Sequence, residues 1–193
     1  MNFRRVLIAP IRISQYLFNR CLYGHIGLRT HIERPLRIEH KKNIYLYDGV
    51  SIASYCWLAA NPKTSVDGKA RLIVREGCSI GDFAHIYATQ EILIDKNALI
   101  ANFVYISDNI HGYEDISIPI IQQPIVQKRP VHIGEGSWIG EHVCIIGANV
   151  GKHSVIGANS VVTHDIPDYC VAVGAPARVI KKYSFENQEW INV

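Results

Sequence analysis

Ile133-Gly-Glu-Gly-Ser-Trp, Ile139-Gly-Glu-His-Val-Cys, Val150-Gly-Lys-His-Ser-Val and Ile156-Gly-Ala-Asn-Ser-Val form four six-residue units lying between Ile133 and Val161. Each opens with an aliphatic residue, follows it with Gly, and places a small or β-branched residue fifth. A six-residue period of this kind marks a parallel β-helix, in which each unit makes one short strand and about three units close a coil. The aliphatic side chain fills the coil interior. Gly is expected at a corner, because it alone reaches positive φ without steric cost.

Working outward, looser units begin near Ile38. Ile38, Ile44 and Val50 are six apart, as are Val74, Ile80 and Ile86. After a two-residue shift the register resumes at Ile94, Ile100 and Ile106, and Cys78, Ala84, Ala98 and Val104 keep the small fifth place. The pattern predicts a mainly β chain with a solenoid over residues 36–163, an N-terminal cap segment over 1–35 and a C-terminal extension over 164–193. A further slip at Gly147-Ala148 reads as a shortened corner. Residues 10–22 carry Ile13, Leu17 and Cys21 at helical spacing, which predicts a short amphipathic helix covering the open end of the coil. Arg4, Arg5, Arg12 and Arg20 give that helix a weaker second reading as a membrane-surface anchor. Past Thr163 the turn-rich chain holds Pro167 and Pro176, and a short terminal helix is expected over 184–193.

Composition narrows the function classes. The 193 residues suit one domain, and 48% hydrophobic content supports a sizeable core. A net charge of +3 fits a small polyanionic ligand and is too weak to argue for nucleic acid. No apolar run approaches the roughly eighteen residues of a membrane span. Pro10 and Arg12 interrupt the apolar start before any cleavage site, against a signal peptide. Five cysteines without a Cys-x-x-Cys pair read as reduced thiols, which points to a cytoplasmic protein.

Two segments break the repeat: Ala59 to Ala70, a surface loop by its turn residues, and the longer Ser107 to Pro130. Loops of more than about a dozen residues in a compact domain are usually functional. The longer one begins Ser107-Asp-Asn-Ile-His-Gly-Tyr-Glu-Asp, setting His111 near Asp108, Tyr113, Glu114 and Asp115 just after a strand. Histidine, with an unperturbed pKa of about 6.5, suits proton transfer at neutral pH. A neighbouring carboxylate such as Asp108 is a candidate to hold its tautomer, and a solvated surface His is the plain alternative. His85, closing the unit Ile80-Gly-Asp-Phe-Ala-His, is the one other histidine kept as a catalytic candidate. His142 and His153 fall at corners, and His25, His31 and His40 precede the regular coils. No closely spaced His pair or Cys/His cluster argues for a metal site, and no phosphate-binding glycine loop or nucleophile elbow occurs.

The run from Pro130 to Tyr183 resembles the hexapeptide-repeat acyltransferases, above all in Ile156-Gly-Ala-Asn-Ser-Val-Val-Thr-His-Asp-Ile-Pro and Val173-Gly-Ala-Pro-Ala-Arg-Val-Ile. Within them it is most similar to O-acetyltransferases of sugars and bacterial surface polysaccharides. The resemblance covers about residues 36–182 and implies a left-handed coil, acetyl-CoA as acyl donor, a saccharide acceptor and a homotrimer with sites between subunits. The family's Leu-Ile-Ala…His pattern falls without a gap on Leu99 to His111, which implies that His111 is the general base. By the same carry-over, Trp138 and Gly140 lie in the donor groove, Ala158 and Thr163 along the pantetheine arm, and Arg178 near the phosphates. Many relatives have Lys after that Thr, where this chain has His164. A second polar residue supporting the catalytic His, often Asn in sugar acetyltransferases, has no clean counterpart; Asp82, His85 or Asn102 stand as candidates. Asn102, Tyr113 and Trp138 are candidates to contact the sugar. Alternative readings within the fold are an antibiotic O-acetyltransferase, a nucleotide-sugar N-acetyltransferase and, more remotely, a zinc hydratase of the γ-carbonic-anhydrase type.

Overall fold

The computed structural model describes Tyr16 and residues 18–193. Apart from an antiparallel hairpin at 109–127 and an antiparallel pair at the chain end, its strands are short and fall on three parallel sheets that the chain visits in turn. The first face holds His25–Ile26, Ile44–Leu46, Arg71–Val74, Glu91–Ile94 and Val131–Ile133. The second holds His31–Ile32, Ser51–Ile52, Ser79–Ile80, Leu99–Ile100, Trp138–Ile139, Val155–Ile156 and Cys170–Val173. The third holds Arg37–Glu39, Trp57–Ala60, His85–Ala88, Tyr105–Ser107, Cys144–Ile146 and Val161–Val162. Along the coil each strand pairs with the strand one full circuit away.

The opening aliphatic residue of each unit explains the stacking. Ile26, Leu46, Val74, Ile94 and Ile133 lie in register on the first face. Ile32, Ile52, Ile80, Ile100, Ile139 and Ile156 do so on the second, and Ile38, Leu58, Ile86, Ile106, Ile145 and Val162 on the third. From Leu46 to Ile156 these side chains are closed to solvent, and each contributes about 1.5–3 kcal/mol of transfer free energy. The fifth-place residues Cys78, Ala84, Ala98, Val104 and Val143 are buried beside them. Where Ser takes that place its hydroxyl is bonded: Ser137 Oγ donates to the Gly151 carbonyl at 2.7 Å and Ser154 Oγ to that of Pro167 at 2.8 Å. A buried hydroxyl without such a partner would destabilise the coil.

The second-place glycines have a different cause from the one expected. The left-handed residues at the corners are mostly fourth in the unit, among them Tyr55, Phe83, Phe103, His142 and Asn159. Gly134 and Gly140 are instead required by close approach of the next coil. A Cβ on Gly134 would lie 2.4 Å from Lys152 N, and one on Gly140 2.8 Å from Ala158 N.

Several expected boundaries move. The ladders begin at His25, well before residue 36, so His25 and His31 sit on strands of the first coil. They also run past Thr163, through an Ile166 bridge to Val150 and the strand Cys170–Val173. The chain end is an antiparallel pair, Arg178–Ser184 with Glu189–Asn192, in place of the expected helix. Its cause is the edge left by Cys170–Val173, which Arg178–Ser184 pairs with and covers. Tyr16 and residues 18–22 are helical, whereas the rest of the expected helix, with Arg4, Arg5, Arg12 and the apolar start, lies outside the described residues. Among the described residues no helix is long and apolar enough to cross a membrane.

One edge carries all the irregularity. From the first face to the second and on to the third, the buried residues keep six-residue spacing, as in Val74, Ile80, Ile86 and in Ile133, Ile139, Ile145. The insertions and slips, among them 40–43, 61–70, Thr89-Gln90, 108–130 and 147–149, fall where the chain returns from the third face to the first. That edge holds the candidate site.

Candidate active site

The segment after Tyr105–Ser107 is a structured hairpin. Asn109–His111 pairs antiparallel with Ile125–Gln127, matching Asn109 to Gln127, Ile110 to Val126 and His111 to Ile125. Gly112 N extends the pairing to the Pro124 carbonyl at 2.9 Å, and Ile120–Gln122 makes one turn near the tip. At the tip Gln123 is tied to Asp115 in both directions: Asp115 N donates to its Oε1 at 3.2 Å and its Nε2 to the Asp115 carbonyl at 2.8 Å. Bonds from Ser117 hold the Asp115 carboxyl below its usual range.

Asp108 anchors the base. Its fully buried carboxylate accepts from Thr89 N at 2.8 Å, Gln90 N at 2.6 Å, Thr89 Oγ1 at 2.9 Å and Asn109 Nδ2 at 3.0 Å. Those backbone donors belong to the two-residue insertion one coil earlier, which no strand satisfies. Its own carbonyl accepts from Lys128 N at 2.7 Å, so one residue joins both legs of the hairpin to the coil. Among the described residues none of the bonds of the Asp108 carboxylate is to His111. Gln127 Nε2 donates to the Thr89 carbonyl at 2.9 Å and Gln90 Nε2 to that of Lys128 at 2.7 Å. Thr89, Gln90 and Gln127 were not singled out from the sequence; the register shift at 89–90 was the available signal.

This base fixes where His111 looks. Cross-strand partners share one side of a hairpin and alternate residues share it too, so Asn109, His111, Ile125 and Gln127 lie on one side. Asn109 Nδ2 reaches the Tyr87 carbonyl at 3.3 Å and Gln127 reaches Thr89, so that side faces the preceding coil. His111 itself is exposed, as is Tyr113.

The remaining candidates separate. His85 stacks on Trp57 at 4.2 Å on the third face, with its Nε2 shielded and unpartnered among the described residues. Burial lowers its pKa and keeps it neutral, so it is a packing ring that offers no exposed Nε2 to a substrate. Asp82 and Asn102 belong to a ladder on the edge between second and third faces. Asp82 Oδ1 accepts from Ser54 N at 2.8 Å, and Asn102 Oδ1 accepts from Asp82 N at 2.9 Å. Trp138 stands half exposed on the second face, and Ala158 is exposed where Gly140 packs against it. Thr163 and His164 are exposed on the same edge as the hairpin, with Oγ1 and Nδ1 3.0 Å apart. Arg178 opens the terminal pair beside Val173. Among the described residues no group of three His, Cys, Asp or Glu side chains converges as a metal ion requires.

The candidates therefore form two groups. His111, Tyr113, Thr163 and His164 line the edge between third and first faces. Trp138, Gly140 and Ala158, with Asn102 nearby, lie on the second face and the edge beyond it. One chain does not bring them together.

A family model described as the hexapeptide repeat of succinyl-transferase matches residues 130–164. The chain is 34% identical over 130 residues to a putative lipopolysaccharide biosynthesis O-acetyl transferase, WbbJ, of Escherichia coli, a match covering 64% of this chain and 66% of that one. It thus spans just under two thirds of that relative. Among solved structures, the polySia specific acetyltransferase NeuO superposes with a TM-score of 0.62 at 25% identity, over 79% of this chain and 68% of that one. AntD, an N-acyltransferase from Bacillus cereus in complex with dTDP and 3-hydroxybutyryl-CoA, shares the fold with a TM-score of 0.72 at 19% identity, over 90% of each chain.

Proposed function

We propose that this chain, which belongs to the hexapeptide-repeat acyltransferases, transfers an acetyl group from acetyl-CoA to a hydroxyl of a saccharide, at sites shared between copies in a homotrimer. In this reading the coil has the left hand implied by the family resemblance. The observation that carries the proposal is the division of the candidate residues between two edges, with an exposed histidine on a rigidly based hairpin at one of them. WbbJ and NeuO, both named for acetyl transfer in saccharide systems, favour the acceptor class.

The second face fits the long donor. Trp138 gives an exposed apolar surface, and the exposed Ala158 beside side-chain-free Gly140 leaves a low strip along the coil axis. The pantetheine arm would lie along it, with Arg178 toward the phosphates and His164 reaching them from the facing edge of the next copy. His111 takes the proton of the acceptor hydroxyl as its oxygen bonds to the thioester carbonyl carbon. The carbon–sulfur bond then breaks, and the same proton passes to the departing thiolate, leaving His111 neutral. General base catalysis of this kind supplies about 10²- to 10⁴-fold, and holding both reactants in one groove adds the benefit of proximity. Tyr113 and Trp138, exposed on the two sides of the groove, would contact the sugar.

The linkage in the product tests this. Protein supplied with acetyl-CoA and saccharides built like surface-polysaccharide repeat units should yield an acetylated sugar whose acetyl is released by hydroxylamine, as esters are. An acetyl that resists hydroxylamine is an amide and would move the assignment to a sugar amine, the acceptor of an N-acyltransferase. No transfer to any saccharide would remove the proposal.

A further inference from the structure

Two insertions project from the irregular edge, the loop at 61–70 and the hairpin at 108–130, and the coil between them turns through only Thr89-Gln90. A short corner between two long ones leaves a cleft of about 640 Å³ bordering the first face. Val66 to Ala70 line one wall, Gln127 and Pro130 the other, and Gln90 and Glu91 come from the short coil between. Asn43 and Tyr45, from the coil before the loop, close the end.

The loop wall is held by its own bonds. Ser65 Oγ donates to Asp67 Oδ1 at 2.8 Å, Lys69 N donates to the same oxygen at 3.0 Å, and Asn61 Nδ2 ties the loop to Tyr87 Oη at 2.7 Å. The first two bonds hold the Asp67 carboxyl below its usual range, so it stays charged. The polar groups of the cleft are not used up by folding. Lys69 is exposed and makes no ion pair among the described residues. Arg71 and Glu91, in register on neighbouring strands, meet through one oxygen at 2.6 Å, which leaves a carboxylate oxygen and several guanidinium donors for a ligand. Two cations beside two carboxylates do not favour an anion. Donors and acceptors set side by side suit hydroxyl groups, each of which both donates and accepts.

We propose that this cleft is a second saccharide subsite, holding the unit next to the one acetylated, so that the acceptor is an oligosaccharide or polysaccharide chain and not a single sugar. The inference rests on the acetyl-transfer reading above. Gln127 connects the two places. It lies on the same side of the hairpin as His111, lines the cleft, and brings its Nε2 to 3.5 Å from Ser65 Oγ in the loop. His111 stands one pair nearer the tip on that side, about 7 Å along the strands. A chain that presents one hydroxyl to His111 sets its neighbouring unit inward, against Gln127 and between the two walls. Because the loop wall is already ordered, binding there loses little conformational freedom.

Mono-, di- and tetrasaccharide fragments of one bacterial surface polysaccharide, made by partial acid hydrolysis, are the probes. For the native protein kcat/KM for acetyl transfer should rise about tenfold or more from the single sugar to the disaccharide, the effect of one hydrogen bond to a charged group. In the double variant Lys69→Ala, Glu91→Ala that ratio should fall to near one. Lys96→Ala, an exposed change at a corner between first and second faces, should keep the native ratio. If the double variant fails to fold by circular dichroism, Lys69→Glu, exposed on the loop, carries the same test. Calorimetric titration of the disaccharide without acetyl-CoA is the second readout, and the native protein should bind about tenfold tighter than the variant. A native protein indifferent to acceptor length, or a variant with the native ratio, overturns the subsite. If no fragment is acetylated while the cleft-dependent binding is found, the acetyl-transfer reading fails and the subsite stands. Neither transfer nor binding of any fragment overturns both.

Discussion

Replacing His111 with alanine should lower kcat by about 10²- to 10⁴-fold and leave the KM for acetyl-CoA and the thermal midpoint near native values. The reason is the division of labour in the hairpin. Its fold depends on backbone pairing and on Asp108, Asn109 and Gln127, and the exposed His111 ring makes no side-chain hydrogen bond among the described residues. Exposed substitutions away from packed features usually change stability by less than about 0.5 kcal/mol. The donor strip lies on another face, so its affinity should not follow His111. Steady-state kinetics on the purified variant decide the matter: a kcat within a few-fold of native would mean that the proton goes elsewhere.

Asp108→Ala should damage the same activity by a different route. It strands the amide donors of buried Thr89 and half-buried Gln90, which have no other partner in the ladders among the described residues. Each stranded donor costs about 1–3 kcal/mol, or about 2–6 kcal/mol together. For a chain of this size that lowers the melting midpoint by roughly 5–20 °C. The hairpin also loses the link between its legs, so kcat should fall with the midpoint. Asp108→Asn separates this from direct support of His111, because it keeps an acceptor oxygen. If Asp108 acts only as an anchor, the Asn variant loses stability and kcat in proportion. A native midpoint with a collapsed kcat would show direct support instead. Thermal melts and kinetics on the two variants distinguish these outcomes.

The repeat was legible because each opening aliphatic and each small fifth residue is dictated by the coil interior, which leaves a six-residue trace. The interruptions were legible for the same reason, and they fall on the edge that carries His111. The ends were harder. His25–Ile26 and His31–Ile32 pair in the first coil although their outward histidines and short units hide the period. The terminal strands exist because Cys170–Val173 leaves an edge to be covered, a demand set by the preceding coil and invisible in residues 184–193 alone. The role of Gly was misread since spacing cannot separate positive φ from close approach, and only the short distances at Gly134 and Gly140 do so. Asp108 was placed correctly beside His111 in sequence, yet its carboxylate turns into the corner because Thr89 and Gln90 offer unpaired amides there.

The most direct measurement mixes two inactive chains. His111→Ala removes the base from one edge, and Ala158→Trp fills the exposed strip on the other. If the site is shared, trimers assembled from equal amounts of the two variants contain junctions with an intact His111 edge facing an intact second face. Acetyl transfer should then return to roughly a quarter of native activity for random assembly, although each variant alone stays inactive. Mixtures no more active than the separate variants, with mixed assemblies demonstrated by mass, would place the whole site within one chain and contradict the account.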